Sequence, residues 1–177
     1  MFLKFTALLF TVVLSACDTL PSKFKAHENL DVLPPPEELL PYAWTLVYQD
    51  YQSVIFNVDD YLPDFVLFAN RDGDQVWFDG KSILKAQVDS HEILYHQREP
   101  ESLTVFLNSQ EESEHNCFKW SNTIVDKSSY LEQVCVGENK LVRSVRYDST
   151  GMVREIAVRA APHLTIRLVK IIKASDL

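Results

Sequence analysis

The residues that could carry out chemistry in this chain are few and widely spaced. His91, Glu92 and His96 are the one local group of zinc-binding residue types, and two histidines need at least one further ligand. On a continuous strand, positions five apart point to opposite faces, so His91 and His96 share a metal only if the strand bends. No Gly-x-Ser-x-Gly elbow, His-Glu-x-x-His helix or phosphate-binding loop is present. We therefore predict a protein that is not an enzyme and that holds no metal or cofactor.

A second polar group, in residues 70–79, has some of the residue types of a calcium-binding loop. If Gly73 takes the place of the invariant glycine in a helix–loop–helix calcium site, Phe68 falls where the first carboxylate is required. The dipeptide Asp72-Gly73 accepts positive φ readily, and apolar runs flank it on both sides. The segment is therefore predicted to be a hairpin turn between two strands.

Arginines are concentrated near the C-terminus. Residues 140–173 contain eight basic and two acidic residues, whereas residues 18–139 contain 8 basic and 22 acidic residues. Opposite residues of antiparallel strands lie about 5 Å apart, so this segment could form a basic face that attracts an acidic polysaccharide or anionic headgroups. The candidate ligand-binding residues are Arg143, Arg146, Arg154, Arg167 and the aromatic Trp77. The alternatives are that the arginines pair with acidic residues across the sheet and that the aromatic residue belongs to the core.

The N-terminus has the three zones of a secretory signal. Lys4 supplies the positive charge, and the apolar run of residues 5–14 is shorter than the roughly 20 residues that cross a hydrocarbon layer. The sequence Leu14-Ser15-Ala16-Cys17 resembles the bacterial lipobox. The resemblance implies that residues 1–16 are removed and that Cys17, modified with diacylglycerol, holds the protein to a membrane. The alternatives are a soluble secreted protein with a cysteine there by chance, and a buried apolar strand.

Asp18 and the segment after it indicate where the anchored protein lies. With aspartate at this position, the chain resembles the lipoproteins that enteric bacteria retain in the inner membrane. Asp18 therefore favours the inner over the outer membrane. Residues 17–41 contain the run Pro34-Pro35-Pro36 and little periodicity, so they are predicted to form an extended tether, with a short helical turn possible at residues 37–40. We expect the folded part to face the periplasm.

Cys117 and Cys135 remain after removal of the signal sequence. Because the periplasm is oxidising, an isolated pair of cysteines there is predicted to form a disulfide. Closing a loop of about 19 residues would stabilise the fold by roughly 3 kcal/mol. The alternative is a catalytic pair of Cys117 with His115, which lies two residues before it.

Length and composition exclude several classes of protein. The 177 residues fit one domain with a tail, and the net charge of −8 argues against a nucleic-acid partner, since phosphate binding needs a concentrated basic surface. The 46% of hydrophobic residues is enough for a globular core. The four glycines leave almost no room for a glycine-rich nucleotide loop.

Short strands separated by turn residues dominate residues 42–177, which we predict to be a single antiparallel β domain. Trp44, Leu46 and Tyr48 alternate with the smaller or polar residues at positions 45, 47 and 49, as in a strand with one buried face. The other strand candidates are residues 65–69, 76–78, 83–88, 92–96, 103–107, 131–136, 141–147, 152–159 and 164–172. This spacing predicts an all-β sandwich or partly closed barrel of about 9–11 strands.

Two stretches at the ends of the mature chain carry a family resemblance. The motif Glu37-Glu38-Leu39-Leu40-Pro41-Tyr42-Ala43 precedes a hairpin containing Asp72-Gly73 and Trp77, and Asp148, Gly151, Val153 and Arg154 precede Pro162, Leu164, Ile166 and Lys173. This order resembles the lipoproteins encoded with group 4 capsule and exopolysaccharide genes, which are lipid-anchored, β-rich envelope proteins. The resemblance implies a role in polysaccharide secretion or assembly and supplies no catalytic residues.

The sequence thus leads to two hypotheses. The first is a non-enzymatic envelope lipoprotein that binds an acidic polysaccharide or a partner in a secretion complex. The second is a lipid or lipoprotein carrier, similar to the half-barrel lipoprotein-localisation factors, which would need an apolar cavity. An enzyme would need a cleft that brings His91 or His96 to a carboxylate.

Overall fold

The computed structural model describes residues 43–59 and 65–171, which form one antiparallel sheet of 13 strands and a short 3₁₀ helix. The predicted all-β fold is therefore confirmed. The predicted signal sequence, Cys17 and the tether of residues 17–41 lie outside the described residues. In the described part of the chain, no helix is long and apolar enough to cross a membrane.

Twelve of the strands close into a barrel. Strands β1 to β8 pair in chain order, β8 pairs with β10, β10 to β13 pair in order, and β13 returns to β1. Within the described residues, β9 pairs with β10 alone and is an extra strand. The strands are β1 (Ala43–Tyr48), β2 (Tyr51–Asp59), β3 (Val66–Ala69), β4 (Gln75–Phe78), β5 (Ile83–Val88), β6 (His91–Glu99), β7 (Ser102–Leu107), β8 (Gln110–Cys117), β9 (Ser121–Val125), β10 (Ser128–Val136), β11 (Lys140–Tyr147), β12 (Val153–Arg159) and β13 (Ile166–Lys170).

The barrel is strongly flattened. Strands β5 and β12 stand directly opposite each other in the ring of twelve. With strands about 4.8 Å apart, a round ring of that size would separate them by roughly 18 Å or more. Instead, Cα atoms of β5 and β12 approach within 8 Å of each other. The two walls therefore pack face to face, so the closed barrel also has the character of the predicted sandwich.

The inward-facing side chains form one buried cluster. In β1, Trp44, Leu46 and Tyr48 belong to this cluster, whereas Thr45 and Val47 between them are only half-buried. The same alternation supplies buried residues from the other strands of the barrel, including Phe68, Ile83, Ile93, Leu103, Leu141, Ile156 and Leu168. Removal of these side chains from water is the main stabilising contribution, at about 25 cal/mol for each Å² of apolar surface.

The connection between β12 and β13 packs against this core. It forms the 3₁₀ helix Pro162–Leu164, whose Leu164 is buried in the core cluster. The hydroxyl of Tyr48 donates to the carbonyl oxygen of His163 at 3.1 Å, and the buried hydroxyl of Tyr95 donates to that of Leu164 at 2.6 Å. Burial raises the pKa of Tyr95, so this hydroxyl keeps its proton and remains a donor. The connection is thus fixed to two walls of the barrel.

Cys117 and Cys135 lie directly opposite each other on β8 and β10, with an S–S distance of 2.05 Å. This arrangement agrees with the predicted disulfide, and it leaves Cys117 no free thiol to act with His115. His115 instead contacts the hydroxyl of Ser113 through its Nε2 atom at 2.8 Å. The disulfide joins the two ends of a segment that contains all of β9 and most of β10.

Removing the disulfide is expected to lower the free energy of unfolding by about 3 kcal/mol, because the unfolded chain then regains the entropy of an open loop. The measurement is urea denaturation of the Cys117→Ser/Cys135→Ser double variant beside the oxidised and the reduced wild-type protein. The reduced wild type should match the double variant, and reductant should leave the double variant unchanged. Equal urea midpoints for the oxidised and reduced wild type would contradict the prediction.

Candidate functional site

Three arginines surround one glutamate on the outer surface of the barrel. Arg146 on β11 stands directly opposite Glu155 on β12, with 3.6 Å between Nε and Oε2. Oε1 of Glu155 lies 2.7 Å from Nη2 of Arg159 and 3.2 Å from Nε of Arg167. We call Arg146, Arg159 and Arg167 the outer arginine face. Its three guanidinium groups meet one carboxylate, which leaves two positive charges uncompensated within the cluster.

The alternation of strand β12 produces this arrangement. Ile156 and Val158 fill the core, so Glu155 and Arg159 point outward on the opposite face of the strand. The three arginine side chains are 36%, 45% and 42% exposed, whereas that of Glu155 is 12% exposed. The half-buried Tyr130 of β10 stands opposite Arg146 and extends the surface. The result is a solvent-accessible set of forked donors beside an aromatic ring.

Arg154 takes part in a different structure, the turn between β11 and β12. Its Nε atom lies 2.6 Å from Oδ2 of Asp148, whose Oδ1 accepts hydrogen bonds from the backbone N–H groups of Thr150 and Met152. The hydrogen bond from the Thr150 hydroxyl, together with these contacts, lowers the pKa of Asp148. Arg154 therefore stabilises the turn and is not part of the outer arginine face.

Arg143 is inside the barrel and is only 1% exposed. Its Nη2 atom donates to Oε1 of Gln97 at 3.0 Å and to Oε1 of Gln133, which lies opposite it on β10. Its guanidinium carbon lies 5.3 Å from the ring centroid of Trp120. We call these four residues the Arg143 cluster.

The charge of Arg143 has no close ionic partner in the described part of the chain. No carboxylate of the described residues lies within 4.0 Å of its guanidinium group, and its buried Nε atom has no hydrogen-bond partner. Desolvation lowers the pKa of Arg143 to about 10, an effect that the more distant Asp79 partly opposes. The side chain is therefore still charged at neutral pH.

Trp77 is buried on the outer side of the wall. Its neighbours Val76 and Phe78 point into the main core, while Trp77, at 1% exposure, packs with Leu67 in a smaller second cluster. The ammonium group of Lys85 lies 5.3 Å from the Trp77 ring centroid and 2.5 Å from a carboxylate oxygen of Glu92. The ring is thus a packing element here and offers no open face to a sugar.

The polar segment of residues 70–79 and His91 make hydrogen bonds within the fold. The backbone N–H of Asn70 donates a hydrogen bond to the carbonyl oxygen of Asp74 at 3.1 Å, which closes the predicted hairpin turn. Gly73 in this turn has a φ of 97°. The Nδ1 atom of His91 lies 2.8 Å from the carbonyl oxygen of Asp89. Among the described residues, no group of three or more histidine, cysteine or acidic residues is placed to hold a metal ion.

The structure therefore separates the four candidate arginines into three settings and adds partners that the sequence analysis did not select. Arg159 and Glu155 complete the outer arginine face, and Gln97, Gln133 and Trp120 complete the Arg143 cluster. The buried position of Arg143 had a signal in the sequence, since Leu141 and Val145 share its face of the strand. Gln97 and Gln133 had none, because their contacts depend on how β6 and β10 lie relative to Arg143 on β11.

Comparison of the chain with known protein families, with curated proteins and with solved structures finds no match in any of the three. A function is therefore inferred from the site geometry and from the sequence features at the N-terminus.

Proposed function

We propose that this protein is a lipid-anchored, non-enzymatic binding protein of the bacterial cell envelope. In this proposal, acylated Cys17 attaches it to a membrane, with the inner membrane favoured by Asp18, and its barrel stands in the periplasm on the tether. The barrel binds an acidic polysaccharide during secretion or assembly, alone or within an envelope secretion complex. The lipobox resemblance and the resemblance to capsule and exopolysaccharide lipoproteins support the location. The outer arginine face supports the ligand class.

The outer arginine face is the observation that carries the polysaccharide part of the proposal. A guanidinium group presents a planar fork of donors that matches a carboxylate, and three such groups lie within reach of one another around Glu155. Because the face lies on the outside of a sheet, an extended polymer can cross it without entering a pocket. Tyr130 adds an aromatic surface against which the apolar side of a sugar can pack.

The interior of the barrel gives no such support to the second hypothesis, a lipid carrier. The inward-facing side chains pack into one cluster, and Cα atoms of the opposite strands β5 and β12 lie within 8 Å of each other. A carrier of acyl chains needs an apolar space of several hundred Å³. The geometry therefore favours binding at the outer arginine face over carriage of an acyl chain inside the barrel.

Neutralising the outer arginine face is expected to weaken binding to an acidic polysaccharide by about 3- to 150-fold, since exposed ion pairs contribute roughly 0.2–1 kcal/mol each and three are lost together. The variant is Arg146→Gln/Arg159→Gln/Arg167→Gln, and the measurement is its salt-dependent retention on immobilised polyuronate. The converse variant Glu155→Gln, which removes the competing carboxylate, should be retained more strongly than the wild type.

The matched control is Lys81→Gln/Lys119→Gln/Lys127→Gln, which removes three charges from exposed lysines elsewhere on the barrel. If net charge alone determined retention, the two triple variants would elute at the same salt concentration. The polysaccharide proposal would be overturned if the two triple variants eluted at the same salt concentration. It would also be overturned if the folded arginine variant were retained as strongly as the wild type. Circular dichroism confirms that each variant is folded before it is applied to the column.

A further inference from the structure

Arg143 is a buried cation that the described residues leave without an anion. Moving a charged group out of water is costly unless an opposite charge or several hydrogen bonds replace the water. Here two neutral amide oxygens occupy Nη2, and Nε has no hydrogen-bond partner among the described residues. Of the described acids, Asp79 is the one with an electrostatic effect on Arg143, and its Oδ1 atom is already held by the backbone N–H groups of Lys81 and Ser82. Within residues 43–59 and 65–171, the cluster is therefore short of one negative charge.

We propose that the Arg143 cluster is a binding site for a small carboxylate ligand of the sugar-acid class. The carboxylate binds the Arg143 guanidinium, and the sugar ring packs on Trp120. This site is separate from the outer arginine face and does not depend on the polysaccharide proposal. A carboxylate suits the guanidinium because its two oxygens match the planar arrangement of the N–H donors.

The two glutamines of the cluster have different roles. Gln133 is 2% exposed, and its amide nitrogen donates to the carbonyl oxygen of Phe118 at 2.8 Å, so its orientation is fixed. Gln97 is exposed near the C-terminal end of β6, and its amide nitrogen donates to the carbonyl oxygen of Pro100 at 2.9 Å. Gln97 is thus the solvent-exposed glutamine of the cluster, and in this proposal the ligand carboxylate reaches Arg143 from the side of Gln97.

Trp120 supplies the second element of recognition. It lies in the connection between β8 and β9, is half-buried, and contacts Arg143 through its ring. An indole that is partly exposed beside a cation offers apolar area to the carbon–hydrogen face of a sugar while the cation takes the charged group. This pairing distinguishes a sugar acid from a bare anion, which would gain nothing from the ring.

The test is isothermal titration of the folded protein with sodium glucuronate, glucose and sodium acetate. Glucuronate is expected to bind, glucose to show no measurable heat, and acetate to bind at least about tenfold more weakly than glucuronate because it makes no contact with Trp120. Arg143→Met should lose glucuronate binding, whereas Arg159→Met, which removes an arginine of the outer face, should keep it. Binding of glucose as strong as that of glucuronate overturns the proposal, and acetate binding equal to glucuronate overturns its sugar part.

Gln97→Glu keeps the test decisive if Arg143→Met fails to fold. This variant places a carboxylate of the protein itself beside Arg143, so it should have a higher Tm than the wild type. Its affinity for glucuronate should be lower than that of the wild type by about tenfold or more. Glucuronate binding at wild-type strength in Gln97→Glu, or a lowered Tm in that variant, would show that Arg143 needs no anion. The triple variant of the outer arginine face should bind glucuronate as the wild type does, which separates this site from the proposed function.

Discussion

Replacing Cys17 with serine is expected to move nearly all of the protein from the membrane fraction to the soluble fraction. The proposed anchor carries two acyl chains, and each CH₂ group buried in the bilayer contributes about 0.8 kcal/mol, so two chains hold a protein firmly. A serine hydroxyl offers no sulfur to the acylating enzyme, and the whole of this contribution is lost. The measurement is immunodetection of the full chain in the sedimented and soluble fractions of lysed cells, with mass spectrometry of the mature N-terminus.

The Cys117→Ser/Cys135→Ser double variant is the matched control, because it removes two sulfurs and leaves Cys17 in place. It should remain in the membrane fraction even though its barrel is less stable. A Cys17→Ser protein that still sediments with vesicles would contradict the anchor, as would a wild-type protein recovered from the cytosol. The same experiment done on separated inner and outer membranes tests the preference for the inner membrane that Asp18 suggests.

The turn that the sequence predicts at Asp72-Gly73 contains a glycine, and glycine marks two further turns of the sheet. Gly73, Gly80 and Gly151 all have positive φ, between 82° and 97°, and all lie in connections between consecutive strands. The hairpins β5–β6 and β7–β8 instead turn on Asp89-Ser90 and Asn108-Ser109, where both residues have positive φ. Such turns match the twist of the flanking strands but have no glycine to identify them, so their position followed only from the apolar runs beside them.

Strand β8 shows why part of the sheet was missed. Its sequence is QEESEHNC, and the strand candidates found in the sequence do not include it. Most of β8 is exposed, so it lacks the apolar alternation by which a half-buried strand is found. It is held instead by backbone pairing with β7 and by Cys117, neither of which leaves a local pattern. Strand β9, in which every residue is exposed, was missed for the same reason.

Closure of the barrel was beyond the reach of local sequence patterns. The pairing of β13 with β1 joins Arg167 to Val47 and Leu168 to Leu46, residues more than a hundred positions apart. Either strand alone predicts one buried face and one exposed face, and nothing in it specifies its neighbour. The outer arginine face shares this origin, because Arg146, Glu155 and Arg167 meet only once β11, β12 and β13 are in register. Composition could predict a basic surface but not which arginines form it.

Asp74 is the polar residue whose loss is expected to destabilise the barrel most. It is 4% exposed, and its Oδ2 atom accepts hydrogen bonds from Tyr51 at 2.8 Å, Ser53 at 2.5 Å and Asn70 at 2.9 Å. The bond to the Asp74 carboxylate raises the pKa of Tyr51, so the phenol stays a donor. Three donors from β2 and from the β3–β4 turn therefore depend on one carboxylate. The polar residues of the segment that has calcium-loop residue types therefore connect the β3–β4 hairpin to strand β2 of the β1–β2 hairpin.

The Asp74→Ala variant is expected to lose about 4 kcal/mol in the free energy of unfolding. A hydrogen bond to a charged group contributes roughly 1.5–3 kcal/mol, and donors left unsatisfied in a buried site add their desolvation cost, although the contributions are not additive. The measurement is urea denaturation followed by tryptophan fluorescence. Asp72→Ala is the control, since Asp72 is an exposed aspartate in the same turn and should change the value by less than about 0.5 kcal/mol. Similar losses in the two variants would show that the turn needs acidic residues in general, whereas a loss confined to Asp74→Ala assigns the effect to the buried contacts with Tyr51, Ser53 and Asn70.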